Sequence, residues 1–218
     1  SKTRFVAEIS SNHNRDLGRA IQMVEAAAKA GCDAVKFQLF KIDELFAPEI
    51  LATSEIHQSR RQWEIPFEFI PKLADKAHDL GMEFSCTPFY LEAVEELKPY
   101  VDFYKIASYE LLWHDLFRSC AATGKPVVFS TGMATQIEIE GALNSINDFP
   151  GLDVTILRCT SAYPTPVYEA NLKSIASLRI VLKPFEEIFN LSFGWSDHTV
   201  SIPVLMSAAL KYQSSFIE

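Results

Sequence analysis

Eight short runs rich in β-branched and aromatic residues alternate with seven segments of helical periodicity along the 218 residues, and no glycine-rich phosphate loop follows the first run. Such alternation predicts an α/β protein, and eight regular repeats fit closure better than an open doubly wound sheet. The fold class is therefore a (β/α)8 TIM barrel, ending at the eighth strand without its last helix.

The strand-like runs fall at 4–9, 34–40, 83–87, 103–107, 127–130, 154–159, 191–195 and 215–218, with helix-like segments near 17–30, 67–80, 91–99, 114–123, 134–147, 171–189 and 201–212. Ile21, Val24 and Ala28 give one helical stripe; Ile70, Leu73, Ala74 and Ala77 give another. Gly31, Gly81 and Gly124 each follow a helix and precede a strand, where a left-handed cap is wanted. Residues 41–66 form the longest irregular stretch and read as a lid or binding loop with a short helix of its own. No Pro/Gly/Ser-rich linker or low-complexity tract divides the chain, so 1–218 reads as one barrel domain. The first residue is Ser1 rather than Met, and the last are Phe216-Ile217-Glu218 inside the eighth strand. The expectation is a processed N-terminus and a chain trimmed before its closing helix.

A hydrophobic fraction of 48% with 22% charged residues builds a substantial core and excludes a disordered chain. The net charge of −8 offers no electrostatic footprint for nucleic acid or an anionic membrane. No apolar run approaches the roughly 18 residues of a membrane span, and no secretory signal opens the chain. Cys32, Cys86, Cys120 and Cys159 form no C-x-x-C pair and no zinc spacing. They read as reduced thiols of a cytoplasmic enzyme.

In a barrel of this kind the site is built at the C-terminal ends of the strands. Those ends carry Glu8, Asn12 and His13; Lys36 and Gln38; Thr87; Lys105, Ser108 and Glu110; Ser130 and Thr131; Arg158, Thr160, Ser161 and Tyr163; and Ser196, Asp197 and His198. Lys36 and Lys105 are the most informative, each lying in or at the end of an apolar strand. A buried ammonium is costly unless it meets an anion, forms a Schiff base or pairs with a carboxylate. Together with the Ser and Thr hydroxyls they suggest an anion cradle for phosphate or carboxylate. A purely structural pairing with Glu8 or Glu110 is the competing reading. Glu8 and Glu110 could form an acid/base pair or hold sugar hydroxyls. Tyr163 reads equally as a sugar platform or as a loop-packing ring. His198 alone does not make a metal site, and His13 reads equally as a functional residue or as a loop residue bonding the first turn.

The motifs are also recognisable as a set. Ala7-Glu8-Ile9-Ser10-Ser11-Asn12-His13-Asn14 resembles the first-strand signature of the sialic acid synthase family, the phosphoenolpyruvate-dependent nonulosonic acid synthases, which include pseudaminic acid and spore coat polysaccharide synthases. Asp33-Ala34-Val35-Lys36-Phe37-Gln38, Ser85-Cys86-Thr87-Pro88-Phe89 and Lys105-Ile106-Ala107-Ser108-Tyr109-Glu110 resemble its second to fourth. Ser130-Thr131-Gly132-Met133-Ala134-Thr135, Cys159-Thr160-Ser161-Ala162-Tyr163-Pro164 and Gly194-Trp195-Ser196-Asp197-His198-Thr199 resemble its fifth to seventh.

The resemblance implies a synthase that condenses phosphoenolpyruvate with an N-acetylated hexose, N-acetylmannosamine or a diacetamido sugar, in polysaccharide biosynthesis. It implies that Lys36, Thr87, Lys105, Ser108, Ser130 and Ser196 hold phosphoenolpyruvate. Gln38, Tyr163 and Glu8 would hold the sugar, with Glu110 near the reacting centre and Glu8, Glu110 and Lys105 as the catalytic set. His198 would be one of two histidines on Mn2+ or Mg2+, the second falling just past Glu218. The family's C-terminal antifreeze-like domain, which covers a partner subunit's site, is absent from this chain, and a homodimer is left open. Where the family often has histidine, Arg158 is expected to add positive charge near the site. The 41–66 loop lacks the asparagine that some relatives use for the sugar. A Schiff-base aldolase on a barrel lysine, or a catalytically silent sugar-phosphate-binding barrel, are the alternatives.

Overall fold

In the computed structural model, which describes residues 2–218, eight strands close into a barrel in sequence order. They are β1 Arg4–Glu8, β2 Ala34–Leu39, β3 Glu83–Pro88, β4 Phe103–Ile106, β5 Val127–Ser130, β6 Asp153–Cys159, β7 Asn190–Ser196 and β8 Phe216–Ile217. Ser1, and with it the expectation of a processed N-terminus, lies outside the described residues. Helices stand between successive strands, so the expected (β/α)8 architecture is the one observed. Strands β4 and β5 are buried along their whole length, as parallel strands covered on both faces must be.

The chain falls into two compact units, Val6–Tyr104 and Lys105–Glu218 with the opening residues of β1. In the first, β2 pairs in parallel with β1 and β3, placing Lys36 opposite Glu8 and Thr87 opposite Gln38. The helix Leu17–Ala30 starts on Asp16, whose carboxylate accepts from the Arg19 N–H at 2.9 Å. It ends at Gly31, whose φ of 84° lets its N–H reach the Ala27 and Ala28 carbonyls. Its buried line is Ala20, Val24 and Ala27, rotated slightly from the expected stripe, with Ile21 and Ala28 half-buried at its margins. The helix Phe69–Asp79 buries Ile70, Leu73, Ala74 and Ala77, the stripe read from sequence. Phe37 and Phe84, from β2 and β3, pack with ring centroids 5.9 Å apart. The 41–66 stretch folds into three short helices, Ile42–Leu45, Pro48–Thr53 and Glu55–Ser59, and a 3-10 turn at Arg60–Trp63. Its two ends are tied where the Ile42 N–H donates to Glu64 at 2.7 Å.

In the second unit, β6 pairs in parallel with β5 and β7, setting Cys159 opposite Ser196. Strand β8 lies beside β7 and beside the start of β1, with Arg4 opposite Phe216. The β7–β8 approach demands glycine, because a Cβ on Gly194 would lie 2.1 Å from the Phe216 carbonyl oxygen. Fully buried Trp195 and the edge-on Phe117–Phe129 pair, 5.1 Å between centroids, fill the core. The long helix expected at 171–189 stops at Val181, and Pro184 opens a separate 3-10 turn at Lys183–Glu187. Proline has no N–H to continue the ladder, which accounts for the break.

Candidate active site

In the unit Val6–Tyr104, β1 and β2 end on a charged pair. Lys36 is buried, and its ammonium meets the Glu8 carboxylate, which is held from its other oxygen by the Ser10 N–H at 2.7 Å. The structural pairing weighed from sequence is therefore made for Lys36. Next along the strand, Gln38 is half-buried opposite Thr87, whose hydroxyl is buried with no hydrogen-bond partner. Buried hydroxyls without partners are rare in folded proteins, and one at a barrel strand end is suited to hold a ligand. Cys86 is fully buried, and burial, then the Glu8 charge, pushes its thiol well up, so it is no nucleophile. His13 is also buried; its Nδ1 accepts from the Arg15 N–H at 2.9 Å, the local turn contact of one of its two readings. Burial, then Arg15, lowers its pKa. The Asn12 amide is spent on the Ile9 carbonyl at 3.0 Å.

Beside these residues lies a cavity of about 530 Å3, walled by Asn12, Gln38, Phe40, Arg60, Trp63 and Phe89. Arg60 and Trp63 come from the 3-10 turn of the long loop, and Arg60 lies over the rings of Phe46 and Trp63 at 5.5 and 5.6 Å. The Nε of Arg60 is buried without an acceptor. Sequence reading anticipated a binding loop here but not these two side chains, because nothing in their spacing marks them off from a solvated turn.

In the unit Lys105–Glu218, the centre of charge is Lys105. Its ammonium lies 3.0 Å from Glu218, and both side chains are buried. Sequence reading offered Glu110 as its partner; the structure gives Glu218 instead, a residue that the site prediction did not include. The same carboxylate oxygen accepts from Ser196 at 3.0 Å and, more weakly, from Ser130 at 3.5 Å. Glu218 sits on the end of a two-residue apolar strand, and that was the available signal. Ser108 accepts from the Gly132 N–H at 2.9 Å, and a Cβ on Gly132 would meet Ser161 at 2.1 Å and Ser108 at 2.9 Å. Any larger residue there would have to turn these hydroxyls aside where the loop after β5 crosses them. Glu110 has one buried oxygen with no partner, and burial, opposed by Lys105, raises its pKa to about 7.

His198 follows β7. Its Nδ1 lies 2.9 Å from the Thr160 carbonyl and 3.8 Å from Cys159 Sγ. A carbonyl only accepts, so Nδ1 carries a proton and Nε2 is the atom offered outward. Burial alone would lower the His198 pKa, but the contacts with Cys159, the Thr160 carbonyl and Glu218 outweigh it and raise it. For Cys159, burial is likewise outweighed, here by hydrogen bonds to His198, Ser108 and Ser196, and its pKa is lowered. The Tyr163 ring lies 4.2 Å from that of His198, with one face open to solvent, and the Tyr163–Pro164 peptide is cis. Asp197 is occupied in capping Thr199, whose N–H and hydroxyl donate to it at 2.9 and 2.7 Å. Among the described residues no three His, Cys, Asp or Glu side chains gather as a metal site. His198 fits as one ligand, but the described residues do not make a set.

Arg158 was expected to add positive charge near the site, and its guanidinium meets the Cys159 carbonyl and Thr160, the residue whose carbonyl holds His198. Strand alternation turns Cys159 toward Ser108, Ser196 and His198 and turns Arg158 the other way, into the layer between the helices Gln136–Asn144 and Lys173–Val181. Its charge is therefore not beside the Lys105 cluster.

Residues 23–218 match the NeuB family model. The chain belongs to the NeuB family. It is 36% identical to the N,N'-diacetyllegionaminic acid synthase of Campylobacter jejuni over 220 residues, 95% of this chain and 64% of that one. It is 34% identical to the pseudaminic acid synthase of Helicobacter pylori over 208 residues, 90% of this chain and 59% of that one. The chain thus spans about three fifths of these curated relatives. Among solved structures, the N-acetylneuraminic acid synthetase of Leptospira borgpetersenii, in complex with citrate, superposes with a TM-score of 0.88 at 27% identity, over all of this chain and 72% of that one. A 3-deoxy-D-arabino-heptulosonate 7-phosphate synthase of Thermotoga maritima, at 13% identity and a TM-score of 0.68, shares the fold alone.

Proposed function

We propose that this chain is the barrel of a synthase that condenses phosphoenolpyruvate with an N-acetylated hexose and releases inorganic phosphate. The observation that carries the reading is the buried cluster of Lys105, Ser130, Ser196 and Glu218, with Ser108 and a protonatable Glu110 in the same unit. An ammonium and hydroxyls drawn together on one carboxylate are the donor set that an anionic ligand would use when it replaces that carboxylate. The motif correspondence adds Lys36 and Thr87 to the phosphoenolpyruvate ligands, and the partnerless hydroxyl of Thr87 supports that role. Names of relatives support the class of product, since those of Campylobacter jejuni and Helicobacter pylori are nonulosonic acid synthases.

In the proposed reaction the enol methylene carbon attacks the sugar aldehyde, forming the new carbon–carbon bond. Water adds to the resulting cation, and the tetrahedral adduct breaks its bond to the phosphate oxygen. Glu110, with a pKa of about 7, exists in both protonation states near neutral pH and is suited to deliver or accept a proton in this sequence. Lys105 balances the developing negative charge. His198 Nε2 would give one ligand to a divalent ion such as Mn2+ or Mg2+, whose part is to polarise the sugar carbonyl. Gln38, Tyr163 and Glu8 would hold the acceptor. The apolar walls of Phe40, Trp63 and Phe89 beside Gln38 favour a sugar carrying acetamido methyl groups, and Arg60 offers a donor for an amide carbonyl.

A Schiff-base aldolase fits less well. Both barrel lysines lie against carboxylates, so neither amine is presented to a carbonyl as a nucleophile without first giving up its ion pair. The four thiols are free and no helix among the described residues is long and apolar enough to cross a membrane, which supports cytoplasmic work. Calorimetric titration of phosphoenolpyruvate, without and then with Mn2+, tests the reading. Binding that Mn2+ strengthens supports the synthase site. Absence of binding in both conditions rejects it, and formation of product with an acceptor sugar eliminates a silent binding protein.

A further inference from the structure

Arg158 carries a charge that the proposed reaction does not use. It faces a cavity of about 290 Å3 lined by Thr131, Gln136, Asn171, Ser174 and Ser177 with apolar residues and no carboxylate. Its guanidinium donates to the Cys159 carbonyl and, at 3.3 Å, to Thr160, while its Nε is buried with no acceptor. Arg61 and Arg118 each meet an aspartate at the surface; Arg158, half-buried, has no ion pair among the described residues. Burial, only partly offset by the Cys159 charge, lowers its pKa. An inward guanidinium in that condition is costly unless something anionic meets it. The nine-residue helix Lys173–Val181, which has no side-chain cap, also begins here with Ser174 second, so its positive end adds to the local field, whereas the helix beginning at Gln136 is already capped by Glu138.

We propose that this cavity binds a tetrahedral oxyanion of the phosphate or sulfate class, with Arg158 as its charge partner. Two oxygens of such an anion match the guanidinium fork, and the others meet the hydroxyl and amide donors around it. The site stands on the opposite side of β6 from Cys159, and so apart from the Lys105 cluster. Occupancy would also fix Thr160, whose carbonyl holds His198.

Calorimetric titration of inorganic phosphate, repeated with sulfate, into wild type, Lys105→Ala, Arg158→Gln and Ser177→Asp tests the proposal. The expected result is a phosphate site that survives Lys105→Ala and weakens about tenfold or more in Arg158→Gln. Ser177→Asp, by giving Arg158 an internal carboxylate, should abolish that site and raise the Tm. Phosphate affinity unchanged in a folded Arg158→Gln, or no binding that survives Lys105→Ala, overturns it. Should Arg158→Gln fail to fold, Ser177→Asp decides: retained phosphate binding there overturns the site.

Discussion

Among the described residues two lysine–carboxylate pairs stand at strand ends, and they differ in how water reaches them. Lys36 is 4% exposed but its partner Glu8 is 28% exposed, so one member of the pair keeps part of its hydration. Lys105 and Glu218 are 3% and 6% exposed, and the same carboxylate also gathers Ser196 and Ser130. A pair open on one side loses little when a ligand or a mutation separates it. A closed pair cannot be broken without leaving a charge stranded. In the proposed reaction the buried cluster would be the place where ligand exchange is most concerted, an incoming anion replacing Glu218 as Lys105 is released.

Breaking each pair from the lysine side sharpens the contrast. Lys105→Met strands the Glu218 carboxylate and should cost about 3–5 kcal/mol of stability, along with most of the phosphoenolpyruvate affinity. Lys36→Met leaves Glu8 free to turn to water and should cost about 1–2 kcal/mol. Denaturant unfolding of the two variants side by side checks the order; equal losses would mean that exposure of Glu8 does not matter.

A smaller effect reads the same environment through pH. Glu110 titrates at about 7 in the folded chain against an ordinary value of 4.5, so between these values the folded state holds a proton that the unfolded state has lost. Its contribution to stability is then greatest below about pH 4.5 and falls as pH rises toward 7. Glu110→Gln should flatten that part of the stability–pH curve, and an unchanged slope would assign it to another group. The smallest effect belongs to Tyr163, 69% exposed. Tyr163→Ala should change stability by no more than about 0.5 kcal/mol while weakening acceptor binding. A large loss of Tm would make its ring a packing element of the His198 loop instead.

The barrel was legible because its signals are local. Apolar strand runs, glycine caps and the Ile70 stripe each depend on a few neighbouring residues, and all eight strands fall where periodicity put them. Polar residues at strand ends were legible for the same reason, since Lys36 and Lys105 stand out inside apolar runs. Partners across strands were harder to read. Lys105 takes Glu218, 113 positions away, and no pattern in the sequence announces a pairing set by register. The side of β6 on which Arg158 lies, the helix layer, follows from strand alternation, but the cavity it lines there is made by two distant helices and could not be read from β6 alone. The break at Pro184 stands in the sequence, but a helical pattern on both sides concealed it.

The pairing of Arg4 with Phe216 has a consequence for how the protein is made. The unit Val6–Tyr104 contains its own strand pairs and can consolidate as soon as it leaves the ribosome. The other unit cannot, because it recruits residues of β1 against β8, the last strand of the barrel. Those residues must wait, with one edge of the nascent strand open, until β8 has been made. Closure is thus a late and long-range event, and the waiting edge of β1 is where a nascent chain is most open to a wrong partner.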